Sequence, residues 1–323
     1  MHSFWSDYPE IERQLNEINN EIERAVQTPN ASFREVLTPV VQNQGKMLRA
    51  AFVLIGSNFG EIDEKKAKAL AASIEMFHLA TLVHDDIVDE AKLRRGAQTL
   101  QSKLGKDYAV YTGDFLLMRA MMLLAEYDLN KNHIKRFLKS VDNICQGEIL
   151  QYTIRYSKSV SMLDYIRVIS GKTAALFALS LYIGASESGC DDKTCNLLEK
   201  IGYNIGVAFQ IKDDLLDFTG DVETVGKNTQ ADLLKGYYTL PIILGLKKDK
   251  TGMMYKKLEA LADGEIDKFD GNICDEETLK EAEAIFDRYV KKAVKLIKKL
   301  PKSNDGERKL LLEIVERLVD RTY

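Results

Sequence analysis

The stretch Asp85-Asp86-Ile87-Val88-Asp89 closes an apolar run, and Asp213-Asp214-Leu215-Leu216-Asp217 repeats the pattern more than one hundred residues later. Each run has helical spacing, which places the first and last aspartates of each motif one turn apart. Three carboxylates on one helix rim repel one another, and grouped hard oxygen ligands favour Mg²⁺. One such motif alone is typical of a solvated helix end. Two of them predict facing acidic clusters across a cavity between helices, and phosphate chemistry.

Helical periodicity extends through most of the chain, and only five prolines occur in 323 residues. Ile11, Leu15, Ile18, Ile22 and Val26 recur at helical spacing, and Glu64 to Glu90 is predicted to form one long helix. Further helices are predicted at 106–128, 132–156, 161–186, 192–218, 235–247, 252–263, 276–299 and 305–320. No sustained alternation at period two indicates a sheet. The prediction is one all-α domain over residues 1–323, a large helical bundle with its site in the core.

Composition narrows the class of protein. Hydrophobic residues make up 45% of the chain and the net charge is −4, which argues against a general nucleic-acid binder. The four cysteines form no Cys-x-x-Cys pair, which is typical of a reduced, cytoplasmic compartment. No segment is expected to be apolar for long enough to span a membrane.

Basic residues precede and follow the first aspartate motif. Lys46 and Arg49 stand at i and i+3, and Arg94 and Arg95 follow Asp89 closely. Arginine binds phosphate oxygens in a bidentate manner. His78 lies on the helical stripe of the aspartates. The alternatives are a surface pair for Lys46 and Arg49 and a satisfied core histidine for His78.

A second polar set lies between the motifs. Gly171-Lys172-Thr173 is not a P-loop, because no glycine-rich loop or parallel strand precedes it, yet Lys172 is long enough to reach a phosphate. Gln146, Glu148 and Gln151 lie on consecutive turns of one helix, and Gln210 precedes the second motif. The alternative for these amides and carboxylates is a hydrogen-bond network that holds helices together.

The ordered series of motifs resembles the trans-isoprenyl diphosphate synthases of the polyprenyl synthetase family, over nearly the whole chain. The matching positions are Gly45-Lys46-x-x-Arg49, His78, Asp85 to Asp89, Arg94-Arg95-Gly96, Gly113-Asp114, Gly147-Glu148, Gly171-Lys172-Thr173, Phe209-Gln210, Asp213 to Asp217, Gly226-Lys227 and Asp232. The resemblance implies an all-α isoprenoid-synthase fold. It implies a prenyltransferase that lengthens an allylic diphosphate with isopentenyl diphosphate, using Mg²⁺, and that resembles medium- and long-chain polyprenyl diphosphate synthases.

The resemblance also implies residue roles. Lys46, Arg49, His78 and Arg95 would hold isopentenyl diphosphate, and Arg94, Lys172, Gln210 and Lys227 would hold the allylic diphosphate. The expected metal ligands are Asp85, Asp86, Asp89, Asp213 and Asp217, and the expected catalytic residues are Asp85, Asp89, Lys172, Thr173, Gln210 and Asp213. The chain departs from the family pattern where Gln230 replaces a glycine and Tyr237 replaces a lysine, so one cation near the allylic diphosphate is missing. Large subunits of some two-component medium-chain synthases are similar here.

Product length is expected to depend on side chains below the first motif. Ala80 and Thr81 are small, where short-chain members of the family often have aromatic residues. Phe77 is predicted to form part of the cavity wall and Phe137 its floor, which favours a medium-to-long product. The alternatives are a farnesyl or geranylgeranyl diphosphate synthase, a class I terpene cyclase and a regulatory subunit of a heteromeric synthase.

Partners follow partly from the resemblance. The family is dimeric, so we expect a homodimer, with a heterodimer containing a small subunit as the alternative. Four lysines, Lys292, Lys295, Lys298 and Lys299, surround apolar residues of a predicted helix. They suggest a peripheral contact with an anionic membrane, and the alternative is a solvated outer helix of the bundle.

Overall fold

Long α-helices joined by short turns make up nearly all of the described chain, which in this computed structural model comprises residues 3–43, 45–157, 159–219, 233, 235–262 and 274–319. The expected all-α fold is confirmed. The chain divides into two compact units, one of Met1–Ile134 with Ser180–Cys195 and the other of Lys135–Leu179 with Asn196–Tyr323. The expectation of a single domain over residues 1–323 stays a prediction.

The first unit is built around one long central helix. Its elements are α1 (Pro9–Ala25), α2 (Ala31–Gln42), α3 (Leu48–Ser57), α4 (Glu64–Val88), a hairpin of β1 (Leu93–Arg94) and β2 (Ala97–Gln98), α5 (Leu100–Leu104) and α6 (Lys106–Ala125). Asp63 starts α4 by accepting a 3.0 Å hydrogen bond from the Lys66 N–H. Helices α1, α3 and α6 all pack on α4, whose middle turns are buried. This packing fixes the direction of α4, at the end of which the first aspartate motif lies.

Two contacts join the later segment of the first unit, Ser180–Cys195, to the earlier part of that unit. A Cβ added at Gly184 would lie 2.1 Å from the Val53 carbonyl oxygen, so the two backbones touch where only glycine fits. The side chain of Glu187 is only 4% exposed and accepts hydrogen bonds from Lys66, at 2.6 Å, and from the ring of His133. A buried carboxylate is stable only with such partners.

The second unit contains the remaining helices. These are α8 (Met162–Ile169), a π-helical turn (Ser170–Ala174), α10 (Asp192–Thr219), α11 (Leu240–Lys248), α12 (Met253–Ala262), α13 (Glu276–Ile297) and α14 (Asp305–Val319). Residues of both units occur in α7 (Lys131–Thr153), in α9 (Ala175–Glu187) and in α10, whose first four residues belong to the first unit. A core of Tyr165, Val207, Ile211, Leu240 and Phe286 joins α8, α10, α11 and α13. This core surrounds one side of the second aspartate motif.

The predicted helices match the structure to within about three residues at each end, apart from two of them, whereas α2, α3 and α5 were not predicted. The helix predicted at 235–247 begins only at Leu240, because Gly236 is left-handed at φ 78° and Pro241 occupies the first turn. The segment predicted as one helix at 161–186 is interrupted by the π-helical turn. The two-residue strands of the hairpin are too short for any periodicity to reveal.

Two described helices have the length and composition to cross a membrane, Lys106–Ala125 and Met162–Glu187. The expectation that no segment reaches this threshold was therefore wrong. In the second helix 83% of the apolar window is buried inside the fold, and in the first 39%. Length and composition alone are weak evidence for a membrane span, because a buried core helix passes the same test.

Candidate active site

The first aspartate motif forms the carboxyl end of α4. Asp89 caps the helix, and its N–H donates to the Asp85 carbonyl oxygen at 2.8 Å. Asp85 and Asp89 are half-buried, whereas Asp86 is buried and accepts a 2.8 Å hydrogen bond from Arg94 Nε. Burial raises the pKa of the Asp86 carboxyl, and the Arg94 guanidinium opposes that rise. Asp86 thus has a protein partner although it was predicted to be a metal ligand, and the more exposed pair is Asp85 with Asp89.

The hairpin after α4 places Arg94 beside the aspartates. Its strands pair in antiparallel register, Leu93 opposite Gln98 and Arg94 opposite Ala97. Arg95 and Gly96 form the two-residue turn with φ angles of 50° and 78°, the left-handed pair that a tight hairpin requires. A left-handed backbone conformation is uncommon for arginine. Here the tight turn imposes it, which fixes the position of the Arg95 backbone.

Arg95 reaches a different loop from Arg94. Its Nη1 donates to the Asn43 carbonyl oxygen at 2.7 Å. The guanidinium also lies against Gly45, where an added Cβ would be 2.5 Å from Nη2. The glycine of the Gly45-Lys46-x-x-Arg49 pattern therefore makes room for an arginine from the hairpin.

The loop before α3 carries the next two predicted basic residues. The Lys46 carbonyl oxygen accepts a 2.6 Å hydrogen bond from Trp5 Nε1, and Lys46 Nζ lies 5.2 Å from the centre of the Phe4 ring. Arg49 follows in the first turn of α3. These contacts tie the amino-terminal residues of the unit to the loop that bears the cations.

A buried acid and the predicted histidine complete this cluster. Glu75 is buried and its Oε2 accepts a 3.3 Å hydrogen bond from the Ala50 N–H. Burial raises the pKa of Glu75, and Arg49 and Arg95 counteract that rise. Burial, followed by the charges of Arg49, Arg95 and Arg94, holds the pKa of His78 well below its ordinary 6.5. The structure thus brings His78, Arg49 and Arg95 together as predicted, with His78 neutral at pH 7.

Glu75 was missed by the sequence analysis. A signal existed, since it is the one acidic residue in the apolar stretch from Leu70 to Phe77 and stands three residues before His78. Residues three apart share a helix face. An acidic side chain on the face of a predicted phosphate-binding histidine is most simply explained as a partner for nearby arginines.

The second aspartate motif lies near the end of α10 in the second unit. Asp213 and Asp217 are half-buried, and Asp214 is buried. Asp214 accepts 2.6 Å and 3.0 Å hydrogen bonds from the Tyr165 hydroxyl and from Gln210 Nε2. Burial, and then the Asp214 charge, raise the pKa of Tyr165 well above its ordinary value, so the phenol stays a donor. Tyr165 was not predicted, because the helix α8 that carries it shows no sequence signal linking it to α10.

A chain of hydrogen bonds continues from Asp214 to the π-helical turn. Thr173 Oγ1 donates to Gln210 Oε1 at 2.8 Å. Lys172 Nζ contacts Glu148 at 3.0 Å and Gln151 Oε1 at 3.3 Å. A π-helical turn inside a helix is frequent at functional sites. The structure therefore brings Thr173 and Gln210 together as predicted, while the side chain of Lys172 contacts Glu148 and Gln151.

Other predicted residues have different surroundings. Gln146 is exposed and donates to Asp142 at 2.9 Å, apart from the contacts of Glu148. Phe77, Ala80 and Phe137 are buried, and Thr81 is half-buried with its hydroxyl bonded to the His78 carbonyl oxygen at 2.8 Å. Lys227 and Gln230, with Gly226 and Asp232, lie outside the described residues.

No group of three Asp, Glu, His or Cys side chains within the described ranges stands close enough to hold a metal ion by itself.

Comparison with known proteins identifies the family. The sequence pattern of Polyprenyl synthetase matches residues 30–269. The chain belongs to this family. It is a prenyltransferase with the all-α isoprenoid-synthase fold, as the resemblance implied.

Named relatives in this family differ in product length. Heptaprenyl diphosphate synthase component 2 of Geobacillus stearothermophilus is 34% identical over 100% of this chain and 98% of its own. The all-trans-nonaprenyl-diphosphate synthase (geranyl-diphosphate specific) of Rhodobacter capsulatus is 38% identical over 70% and 69%. The crystal structure of geranylgeranyl pyrophosphate synthase from Lactobacillus brevis has a TM-score of 0.90, with 30% identity and 99% of both chains covered. The chain is therefore similar to synthases of several product lengths.

Proposed function

We propose that this prenyltransferase lengthens an allylic diphosphate with isopentenyl diphosphate to an all-trans polyprenyl diphosphate of medium to long chain length. The observation that carries the proposal is the pair of cations Arg49 and Arg95 beside His78 and the buried Glu75. It gives the first unit a group of cations besides Arg94, which is bonded to Asp86. A terpene cyclase, which handles one diphosphate, has no use for a second anion site.

In this proposal the cluster holds isopentenyl diphosphate. Arg49 and Arg95 supply fixed positive charge, and guanidinium groups match diphosphate oxygens in geometry as well as charge. His78 is neutral at pH 7 and donates one hydrogen bond. Glu75 is an acid and does not bind the diphosphate. Its role is to accept the hydrogen bond from the Ala50 N–H, which fixes the start of α3 and with it Arg49.

The half-buried aspartates fit Mg²⁺. In both motifs the buried middle aspartate is engaged by protein donors, while the outer two, one helical turn apart, are more exposed. Carboxylate oxygens of this kind, completed by substrate oxygens and water, are the ligand set that Mg²⁺ prefers. In the first unit Asp85 and Asp89 would hold such an ion, and in the second unit Asp213 and Asp217 would; when bound, it would neutralise charge on the diphosphate leaving group.

The second unit would bind and ionise the allylic substrate. Lys172 is held by Glu148 and Gln151 and offers its charge to the departing diphosphate. Thr173 donates its hydroxyl proton to Gln210, which leaves the Thr173 oxygen as an acceptor. An oxygen dipole of that polarity stabilises an allylic cation. The isopentenyl double bond attacks this cation, and the released diphosphate takes the proton that is then lost.

Product length would be set by Phe77, Ala80, Thr81 and Phe137, as the sequence analysis predicts. Two of these support a long cavity wall: Ala80 is small and fully buried, and Phe77 is buried on the same helix. In this proposal Phe137 is the floor. An aromatic side chain at position 80 would fill the space that a growing chain needs.

The proposal is tested by incubating the purified protein with labelled isopentenyl diphosphate, an allylic primer and Mg²⁺, and separating the products by length. We expect a product longer than geranylgeranyl diphosphate. Ala80→Phe should shorten it sharply and Phe137→Ala should lengthen it, while Ala80→Ser serves as the matched small variant. A wild type that makes only farnesyl diphosphate, or an unchanged length in Ala80→Phe, would contradict this account.

The protein would act as an oligomer. On α6, Tyr111, Met118 and Met122 are 74%, 58% and 56% exposed and form one apolar stripe, which favours a protein partner. The relative named component 2 suggests a heteromeric partner as the alternative to a second copy. Light scattering of wild type and of Met118→Glu distinguishes the two. A wild-type dimer that dissociates in the variant supports the homodimer, and a monomeric, inactive wild type supports a separate partner.

The anionic-membrane contact of the lysine-rich helix has less support. Ile297, the last residue of α13, is buried, while Lys292 and Lys295 in the helix and Lys298 and Lys299 just after it are exposed. The apolar side of this helix therefore packs into its own unit, and the solvated outer helix is the better interpretation. Failure of anionic vesicles to sediment the protein at low salt would remove the membrane contact.

A further inference from the structure

Arg155 lies in the turn that follows α7, with its guanidinium among three tyrosine rings. Its Cζ is 4.3 Å from the ring centre of Tyr152, 5.7 Å from that of Tyr156 and 5.9 Å from that of Tyr237. In the part of the chain that the structure describes, no carboxylate forms an ion pair with it. Arg155 is half-buried. A cation in this setting requires an explanation.

The rings engage only part of the guanidinium. Aromatic groups interact with the face of the planar group, while its five N–H donors point outward in the plane. The side chain is thereby held in place, and its donors stay available for an acceptor. A charged, pre-positioned donor fork of this kind is suited to phosphate oxygens.

The position of Arg155 just after α7 places it near the proposed allylic site. Glu148 and Gln151, which hold Lys172, lie seven and four residues before it. The last α-helical hydrogen bond here runs from the Ile154 N–H to the Leu150 carbonyl oxygen at 3.0 Å, and the Arg155 N–H donates to the Tyr152 carbonyl oxygen at 3.4 Å, so the chain tightens by one residue at Arg155. Residues four apart lie on one helix face with Cβ atoms about 6 Å apart. Arg155 therefore stands one turn beyond Gln151, the residue that contacts Lys172.

A backbone contact fixes Tyr237 beside this turn. The Tyr156 N–H donates to the Gly236 carbonyl oxygen at 3.0 Å, and both residues are left-handed, with φ of 56° and 78°. A Cβ at Gly236 would fall 2.5 Å from the Tyr156 ring, so only glycine fits. Tyr237, the next residue, is thus held against Arg155 at the position where the family pattern has lysine.

We infer that Arg155 is a further binding residue for the allylic diphosphate and supplies the positive charge that is absent at Tyr237. The charge has moved from the connector to the end of α7, and the tyrosine that replaces the lysine helps to hold it. This inference rests on the proposed function, because it deepens the allylic site of that proposal.

The test measures binding of inorganic diphosphate by calorimetry, with Mg²⁺ present, so it does not depend on turnover. Arg155→Met keeps the length and ring packing but removes the charge, and should weaken binding about tenfold. Arg155→Lys should recover much of that loss. Tyr237→Lys should restore affinity in the Arg155→Met background, since it returns a cation to the same place. Affinity should also depend less steeply on salt in Arg155→Met than in wild type.

Arg167→Met is the matched control, because Arg167 is an exposed arginine of the same unit, paired with Asp164 at 3.6 Å. It should bind diphosphate as wild type does. The inference is overturned if Arg155→Met binds like wild type, if Arg155→Lys is as weak as Arg155→Met, or if Tyr237→Lys gives no recovery. Absence of elongation by the wild type would instead refute the proposed function, and the binding result would still decide the role of Arg155.

Discussion

The two aspartate motifs share one pattern but hold their middle aspartates differently. At the end of α4, buried Asp86 is bonded to a cation, Arg94 Nε. In α10, buried Asp214 is bonded to two neutral donors, Tyr165 and Gln210. Both arrangements engage the middle carboxylate and leave the outer pair more exposed.

The difference teaches how each motif is connected to the rest of its site. The first motif reaches the hairpin through an ion pair, so its geometry depends on charge. The second reaches the π-helical turn through the hydrogen-bond chain Asp214–Gln210–Thr173, so its geometry depends on donor direction. Charge tolerates changes of angle that a hydrogen bond does not. We expect the second motif to be the more sensitive to isosteric changes.

The largest expected effect is loss of an outer aspartate. Asp85→Ala or Asp213→Ala should lower turnover by orders of magnitude, because each removes a proposed ligand of the group that stabilises the leaving diphosphate. Folding should survive, since fewer like charges then crowd the rim. The measurement is kcat by labelled product formation, with thermal unfolding alongside.

Asp142→Ala is the control for that pair, because Asp142 is an exposed aspartate on α7 bonded to Lys139. Its turnover should stay normal. Near-normal turnover in either outer-aspartate variant would refute the assignment of that motif.

The next effect separates the two substrates. Arg49→Ala should raise KM for isopentenyl diphosphate much more than KM for the primer, and Lys172→Ala should do the reverse. Each lost charge-assisted contact costs about 1.5–3 kcal/mol. Steady-state kinetics with each substrate varied in turn provides the measurement. Equal effects of one variant on both substrates would mean that the two sites have been confused.

A smaller effect probes the neutral hydrogen bonds of the second motif. Tyr165→Phe leaves Asp214 with one donor fewer, which should lower the free energy of unfolding by about 1–3 kcal/mol and reduce kcat through a misplaced Gln210. Tyr203→Phe removes the 2.8 Å bond to Ser170 by the same chemical change and is the control. If both variants lower kcat alike, Tyr165 has no special positioning role.

The smallest effect concerns pH and the first unit. The pKa of His78 is held below 6.5 in the folded protein, so the unfolded chain binds the additional proton first on acidification. The free energy of unfolding should fall below pH 6.5 as pH decreases, by up to about 1.4 kcal/mol per pH unit from this group. Urea unfolding of wild type and His78→Asn should show that component only in wild type. Parallel pH profiles would mean that His78 titrates normally.

Much of the fold was predictable because its signals are local. Helical spacing located α4 and α10, and the aspartate motifs were readable as residue patterns. Thr173 and Gln210 were predicted in one set and do meet, whereas Lys172 of the same set contacts Glu148 and Gln151. The start of α11 could have been predicted correctly from two residues, Gly236 before the helix and Pro241 in its first turn.

The remainder depends on contacts between distant segments. Tyr165 meets Asp214 across 49 positions, and Arg95 meets Asn43 across 52. Such pairs depend on how the helices pack against one another. A single sequence contains no periodic pattern that reveals this packing. Arg155 was missed for the same reason, because its ring partner Tyr237 comes from a separate segment.

The Arg95–Gly96 turn has a consequence for the spacing between the two substrates. Because it is a two-residue turn, adjacent arginines are assigned to opposite destinations, Arg94 to the acidic rim and Arg95 to the Gly45 loop. On the proposed function, the hairpin keeps the allylic diphosphate and isopentenyl diphosphate at a constant distance from each other through every cycle of elongation. Inserting one residue into the turn would break that registration, and the enzyme would still bind both molecules but rarely join them.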